Sequence, residues 1–323
     1  MLAFVTPSRV LLTGATGFVG HLLEPMLRRA GHEVLCATRD VVKASRTWPD
    51  RTFVHCDLDD RESVLRAMES CDAAYYLVHA ISNDPGYPLR EAMQAEAFAR
   101  AARAQGLRRV VYLGGVAPHG RASRHLQSRL HTGQILRAET PNAIELRAAM
   151  IVGEGSASWT MVLELSARLP AMVLPRWTQL RSAPVSIDDV LHALLRALDF
   201  ELAHSTWMDV PGPEIMTHEQ MLRRVARVLG KHPPMLRVPL LSPRLSSYWV
   251  AWVTSVDLGL ARELVAGLQC DLVPSGESVW DHIRDREPLV LEDAARRALE
   301  AHQATLSKGR FTRTLQRRFE PAP

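Results

Sequence analysis

Short apolar runs lie near residues 9–13, 33–38, 52–56, 73–79, 109–113 and 143–149, and polar or periodic segments separate them. The runs read as strands, and the apolar spacing of three to four residues between them predicts helices. Val19, Leu22, Leu23, Met26, Leu27 and Ala30 predict the first helix. Leu89, Met93, Ala97 and Ala101 predict another over about 87–105, with Gly106 as its stop. Repeated strand–helix units with wholly apolar strands imply a parallel sheet covered on both faces. Right-handed crossovers then give a doubly wound, Rossmann-type α/β fold over residues 1–153.

After about residue 151 the rhythm changes, and prolines and tryptophans increase. Ser186 with Asp189, and Thr217 with Gln220, read as capping boxes. Each precedes an apolar helical stripe, and Gly230 closes the second. Residues 154–323 are expected to form a smaller, mostly helical region for substrate or partner, with 185–200 packing back onto the first unit. The run from Leu245 to Val256 is apolar over about a dozen residues, whereas spanning a bilayer takes about 20. Trp249 and Trp252 within it read as core, as a pocket wall, or as a membrane or partner surface.

Composition changes this picture little. The chain has 323 residues, 47% hydrophobic and 23% charged, with a formal net charge of +4. Its arginines are spread along helices rather than clustered, which argues against nucleic acid as a partner. Only the end, with Lys308, Arg310, Arg313, Arg317 and Arg318, is locally basic. The cysteines, Cys36, Cys56, Cys71 and Cys270, form no CxxC pair, and His218-Glu219 lacks a second histidine, so no metal site is expected. Residues 1–7 do not resemble a secretory signal, and a reducing cytoplasm fits.

The chemistry concentrates in Thr13-Gly14-Ala15-Thr16-Gly17-Phe18-Val19-Gly20, between the first strand and the first helix. Strand, glycine turn and helix together bind a dinucleotide pyrophosphate. Gly14 permits the tight turn, Gly17 lets backbone N–H groups approach phosphate, and Gly20 lets the helix pack closely. Thr16, Phe18 and Val19 complete the cradle. The second strand ends at Arg39-Asp40, about twenty residues on. Arg39 there would pair with the 2′-phosphate of NADP; if Asp40 faces the ribose instead, NAD is favoured. Asp57 and Leu58 after the third strand are placed to meet adenine, although Asp57 or Asp60 would also serve as a helix cap. Val78, His79 and Ala80 after the fourth strand are placed beside the nicotinamide ribose.

These segments resemble the short-chain dehydrogenase/reductase superfamily in its extended and atypical branches, most of all the NmrA-like NAD(P)H-binding proteins. The glycine turn, Asp57-Leu58, Leu113-Gly114-Gly115-Val116, Leu146 to Gly153 and Val185 to Val190 carry the resemblance over roughly residues 8–260. Longer members of the similar bacterial group carry a further C-terminal domain, which this chain is expected to lack. The resemblance implies cofactor contacts at Gly114 and Gly115, and an oxidoreductase using NADPH, or else NADH.

Active members of that superfamily use a Ser after the fifth strand, then a Tyr, and a Lys four residues beyond it. In this register the Ser position falls on Gly114 or Gly115, the Tyr position on His125 and the Lys position on Arg129. Arg129 can hold ribose but cannot relay protons. His125 is a candidate acid that would titrate near neutrality. The resemblance therefore implies hydride delivery to an apolar acceptor such as a quinone, flavin or enone. The alternatives are a non-catalytic redox sensor or assembly factor acting on a protein partner, and a sugar-nucleotide epimerase or dehydratase. Trp159, Met161, Trp177, Trp249 and Trp252 are candidate acceptor-pocket residues beside their reading as core.

Overall fold

The structure is a computed structural model that describes residues 7–78, 86–118, 120, 122–238 and 242–319, with side chains as far as 305. Six strands alternate with helices in its first half. They are β1 (Arg9–Leu12), β2 (Glu33–Thr38), β3 (Thr52–His55), β4 (Ala73–Tyr76), β5 (Arg109–Gly115) and β6 (Ala143–Ala148). The helices between them are α1 (Phe18–Arg29), α2 (Val41–Thr47), α3 (Arg61–Ala67), α4 (Tyr87–Ala104) and α5 (Arg124–Glu139). All strand pairs in the main sheet are parallel, with β3-β2-β1-β4-β5-β6 side by side. The order reverses between β1 and β4, the switch point at which doubly wound sheets form a crevice at the carboxyl ends of their strands.

A seventh strand, Thr206–Asp209, extends the sheet beside β6. The apolar pattern does not announce it, because it is short and ends in a buried aspartate. Asp209 accepts hydrogen bonds from the Ser275 and Gly276 N–H groups at 2.7 and 2.9 Å, which holds the later chain against the sheet edge. Before it, α7 (Ile187–Arg196) packs Val190, Leu191 and Leu194 into the core between the sheet and α1. The Tyr75 hydroxyl on β4 donates to the Leu194 carbonyl at 2.8 Å and fixes that docking.

A second core is built from α6 (Ala157–Arg168), α8 (His218–Val228), α9 (Pro243–Val253), α10 (Leu258–Gly267) and the start of α11 (Leu291–Phe319). Trp159, Met161 and Trp177 are buried inside it. They are core residues and not the walls of an open pocket, because the helices of this lobe close around them. Trp249 packs against the same core, and Trp252 is 83% exposed. Thr217 and Gln220 form a complete capping box at α8, and Gly230 follows the helix with φ +70°. Ser186 caps α7 through the Asp188 N–H, so Asp189 is not the box partner expected of it. The fully buried Asp189 carboxylate instead takes the Arg286 Nε at 2.6 Å and the Leu289 N–H at 2.8 Å.

Helix α4 also departs from its apolar pattern. Ala97 and Ala101 are buried, but Leu89 and Met93 are exposed. Ala95, Phe98 and Ala102 supply the core face instead, which rotates the helix relative to the stripe of larger side chains. No helix among the described residues is long and apolar enough to cross a membrane. Replacing Asp189 with alanine strands the half-buried Arg286 and frees the segment before α11. An unfolding free energy lower by about 3 kcal/mol in urea denaturation is expected.

Candidate cofactor and active site

The turn after β1 is held from three sides. Thr13 Oγ1 donates to the Tyr75 carbonyl at 2.9 Å and accepts from the Leu77 N–H at 3.1 Å, which ties the turn to β4. Gly14 has φ +68°, and a Cβ there would lie 2.6 Å from the Leu77 carbonyl oxygen. Gly17 N–H donates back to the Gly14 carbonyl at 2.9 Å, and any Cβ on Gly20 would overlap that same carbonyl. Gly14 is therefore required by conformation as well as by contact, and Gly20 by contact.

Gly17 is the N-cap of α1, with no side-chain cap and no acidic residue in the first turn. Thr16 and Gly17 are exposed. The opening N–H groups of α1 thus face solvent at the positive end of the helix, which is a seat for an anion. Val19 packs into the core, while the Phe18 ring lies against Gly153 and Gly155 at the boundary with the second lobe. Arg51 supports the turn from beneath, a role that sequence reasoning misses. Its guanidinium pairs with the buried Glu24 at 3.1 Å and donates to the carbonyls of Ala15 at 3.4 Å and His21 at 3.1 Å.

At the end of β2 the two candidates separate. Asp40 is the N-cap of α2, and its Oδ1 accepts the Lys43 N–H at 2.9 Å. Arg39 is exposed, and its guanidinium has no hydrogen bond or ion pair among the described residues. After β3, Asp60 caps α3 while Asp57 Oδ1 accepts only the Asp59 N–H at 3.1 Å. Leu58 borders a surface pocket of about 320 Å³ that Leu89, Met93, Gln94 and Ala97 also line. Val78 is half-buried at the mouth of the crevice. His79 and Ala80 lie outside the described residues.

The end of β5 explains the missing serine. A Cβ on Gly114 would sit 2.6 Å from Glu145 Oε1. Glu145 on β6 is 1% exposed and is held by Arg147 at 3.0 Å and by Arg137. Gly133 on α5 leaves room for the same carboxylate. The Arg147 guanidinium in turn stacks 3.9 Å from the Trp207 ring centroid. A buried ion cluster therefore occupies the volume that a side chain at position 114 would need. Gly115 differs, since a Cβ there would make ordinary 3.5 Å contacts with Leu126 and Arg129.

Arg129 and His125 stand one turn apart on α5. Arg129 donates to the Leu113 carbonyl at 2.6 Å, so its guanidinium lies at the carboxyl end of β5. The two residues share one face of α5, and the Arg129 guanidinium adjoins the sheet end. His125 does not titrate near neutrality as the sequence led us to expect. Burial, aided by the Arg129 charge, pushes its pKa down to about 4. At neutral pH it is an uncharged imidazole, able to donate or accept a hydrogen bond but not to serve as a ready acid.

Two outcomes follow from this geometry. Gly114→Ser should cost about 1–3 kcal/mol of stability through overpacking against Glu145, whereas Gly115→Ser should cost under about 1, as read by thermal denaturation. His125 holds fewer protons folded than unfolded between its ordinary value of 6.5 and about 4. Stability should thus rise with pH across that window and be lost as pH falls through it. His125→Gln should flatten this slope in denaturation measured from pH 7 to pH 4.

Comparison with known proteins agrees with this architecture. Residues 10–154 match the model of the NAD dependent epimerase/dehydratase family. The chain is 27% identical to 3-diazoavenalumate denitrifying reductase of Streptomyces sp over 292 residues, 79% of this chain and 92% of that one. It is 25% identical to ceramide reductase of Caulobacter vibrioides over 292 residues, 87% of this chain and 90% of that one. Its fold is similar to that of Citrobacter sp. triphenylmethane reductase, solved as a complex with NADP(H). The TM-score is 0.71 at 16% identity, covering 90% of this chain and 99% of that one. Over residues 10–154 the chain is thus similar to the NAD dependent epimerase/dehydratase family, and over nine tenths of its length it shares the fold of a solved reductase.

Proposed function

We propose that this protein is an NADPH-dependent reductase that delivers hydride to an apolar, electron-poor acceptor such as a quinone, a flavin or an enone. The observation that carries this reading is the solvent-open, uncapped start of α1 above a turn in which no side chain blocks the amides. A diphosphate fits there, accepting from the N–H groups of Phe18 and Val19 at the start of α1. Two relatives that align over about nine tenths of their own length are both named reductases, and a structural neighbour was solved with NADP(H).

The other contacts are assigned by chemistry. The exposed, unpaired Arg39 guanidinium matches a 2′-phosphate, while the Asp40 carboxylate is engaged at the start of α2. Asp57 and Leu58 would flank adenine, with the pocket beside Leu58 adjoining that end. Gly114, Gly115 and Val78 would border the nicotinamide ribose, and Arg129 retains N–H groups to donate to its hydroxyls. When bound, NADPH supplies the hydride. His125 would orient the acceptor by a hydrogen bond, leaving the proton to come from solvent.

A sensor that binds NADP(H) without turnover is the second reading. It is favoured by Arg129 being engaged at Leu113 and by the neutrality of His125. NADPH binding followed by fluorescence, then a panel of quinones, flavins and enones, separates the two. Oxidation of NADPH that falls on Arg129→Ala supports the reductase, and tight binding with no oxidation across the panel supports the sensor. Arg39→Ala should weaken NADPH roughly tenfold to a hundredfold and leave NADH nearly unchanged, and equal losses would remove the NADP assignment. Gly17→Val should abolish binding of both nucleotides with the circular dichroism spectrum retained.

A further inference from the structure

Helix α9 is apolar on both of its faces. Ser246, Val250 and Val253 are buried against the second core. On the opposite side Leu245 is 54% exposed, Tyr248 43% and Trp252 83%. These three fall at i, i+3 and i+7, so they form a single stripe facing solvent. A helix that is apolar all round is ordinarily covered on all sides, and a stripe of large exposed side chains marks a contact surface.

The charges beside the stripe identify what covers it. Arg262 on α10 donates to the Tyr248 hydroxyl at 2.7 Å, and the Arg244 side chain lies close enough to the same phenol to act with Arg262 in lowering its pKa. Both arginines are exposed, and neither belongs to an ion pair among the described residues. Two guanidiniums are thus gathered around a phenol, and no carboxylate among the described residues pairs with either. Nearby acids do not compete for them. The Asp257 carboxylate caps α10 through the Leu260 N–H at 3.0 Å. Glu263 is half-buried and lies near Tyr87, whose pKa is raised by burial first and by this carboxylate second. A second copy of the chain suits this face poorly, since a twofold contact centred on it sets the same cations against each other. A plane of phosphates over hydrocarbon satisfies both features, with guanidiniums at the headgroups and indole and leucine at the interface.

We infer that the outer face of α9 docks on an anionic phospholipid surface, with Leu245 and Trp252 entering the interfacial layer and Arg244 and Arg262 meeting lipid phosphates. The contact is peripheral and does not depend on the redox reading above. It would place the molecule where an apolar acceptor is dissolved.

Sedimentation of the full chain with phosphatidylcholine vesicles, with and without phosphatidylglycerol, tests this. Binding should favour the anionic vesicles and weaken at high salt. The pair of substitutions Arg244→Glu and Arg262→Glu should reduce it by roughly thirty-fold or more. Trp252→Ser should reduce it by at least about tenfold on either lipid. All three positions are exposed, and circular dichroism checks that the variants fold. No binding to anionic vesicles at low salt overturns the inference. So does binding that survives the arginine substitutions, which would place the attraction elsewhere, such as the basic chain end. A self-association in ultracentrifugation that Trp252→Ser abolishes, without lipid binding, would assign the face to a second copy instead.

Discussion

The Gly14 carbonyl is the point on which the nucleotide end of the molecule turns. The Gly17 N–H closes onto it, and Gly20 passes so near that a methyl group would overlap it. Leu77 stands against Gly14 from the β4 side, and Thr13 links that strand to the turn through two hydrogen bonds. With backbone packed so tightly underneath, the outer surface of the bend is the exposed Thr16–Gly17 segment and the amides that open α1. That is the condition for amides to meet a diphosphate, and it follows from three residues having no side chain. Arg51 completes the arrangement, because it satisfies a buried carboxylate on α1 and two carbonyls near the turn at once.

A second constraint shapes the other end of the crevice. The buried Glu145 needs two arginines and two glycines around it. An ion cluster of this kind contributes little net stability, since desolvation offsets much of the attraction. Removing one member would leave a buried charge, so the cluster holds its neighbours to their present identities. Gly114 is one of those neighbours. The absence of a serine there is a packing consequence and need not reflect relaxed demand on catalysis.

Much of the architecture is legible in the sequence because it is written in local signals. The parallel strands, the glycine turn, the Thr217–Gln220 box and the Asp60 cap each lie within a few adjacent residues. What is not legible depends on partners far along the chain. Asp189 reads as a local cap, yet its carboxylate meets Arg286 and Leu289 about a hundred residues away. Leu89 and Met93 read as core because they are large, but α4 buries its alanines and Phe98 where the neighbouring elements come close. The strand at 206–209 owes its place to Asp209 bonding with a distant loop. At the candidate site, residue identities and register are visible in advance. The protonation of His125 is not, since it depends on how deeply α5 seats against β5 and where Arg129 points.

That last point narrows the chemistry. Arg129 contributes a permanent positive charge at the end of β5, and the same charge helps to keep His125 neutral. The pair therefore offers hydrogen-bond donors and a positive field, but no acid ready to release a proton near pH 7. Such a site stabilises developing negative charge better than it completes a protonation. Acceptors whose added electron pair spreads over a conjugated system suit it, because their reduced anions persist until water protonates them. An isolated ketone or a sugar carbon, whose reduction leaves a localised alkoxide, demands proton transfer within the hydride step. On the proposed reductase reading, the two side chains at the usual tyrosine and lysine positions would select among acceptors through the order in which hydride and proton arrive.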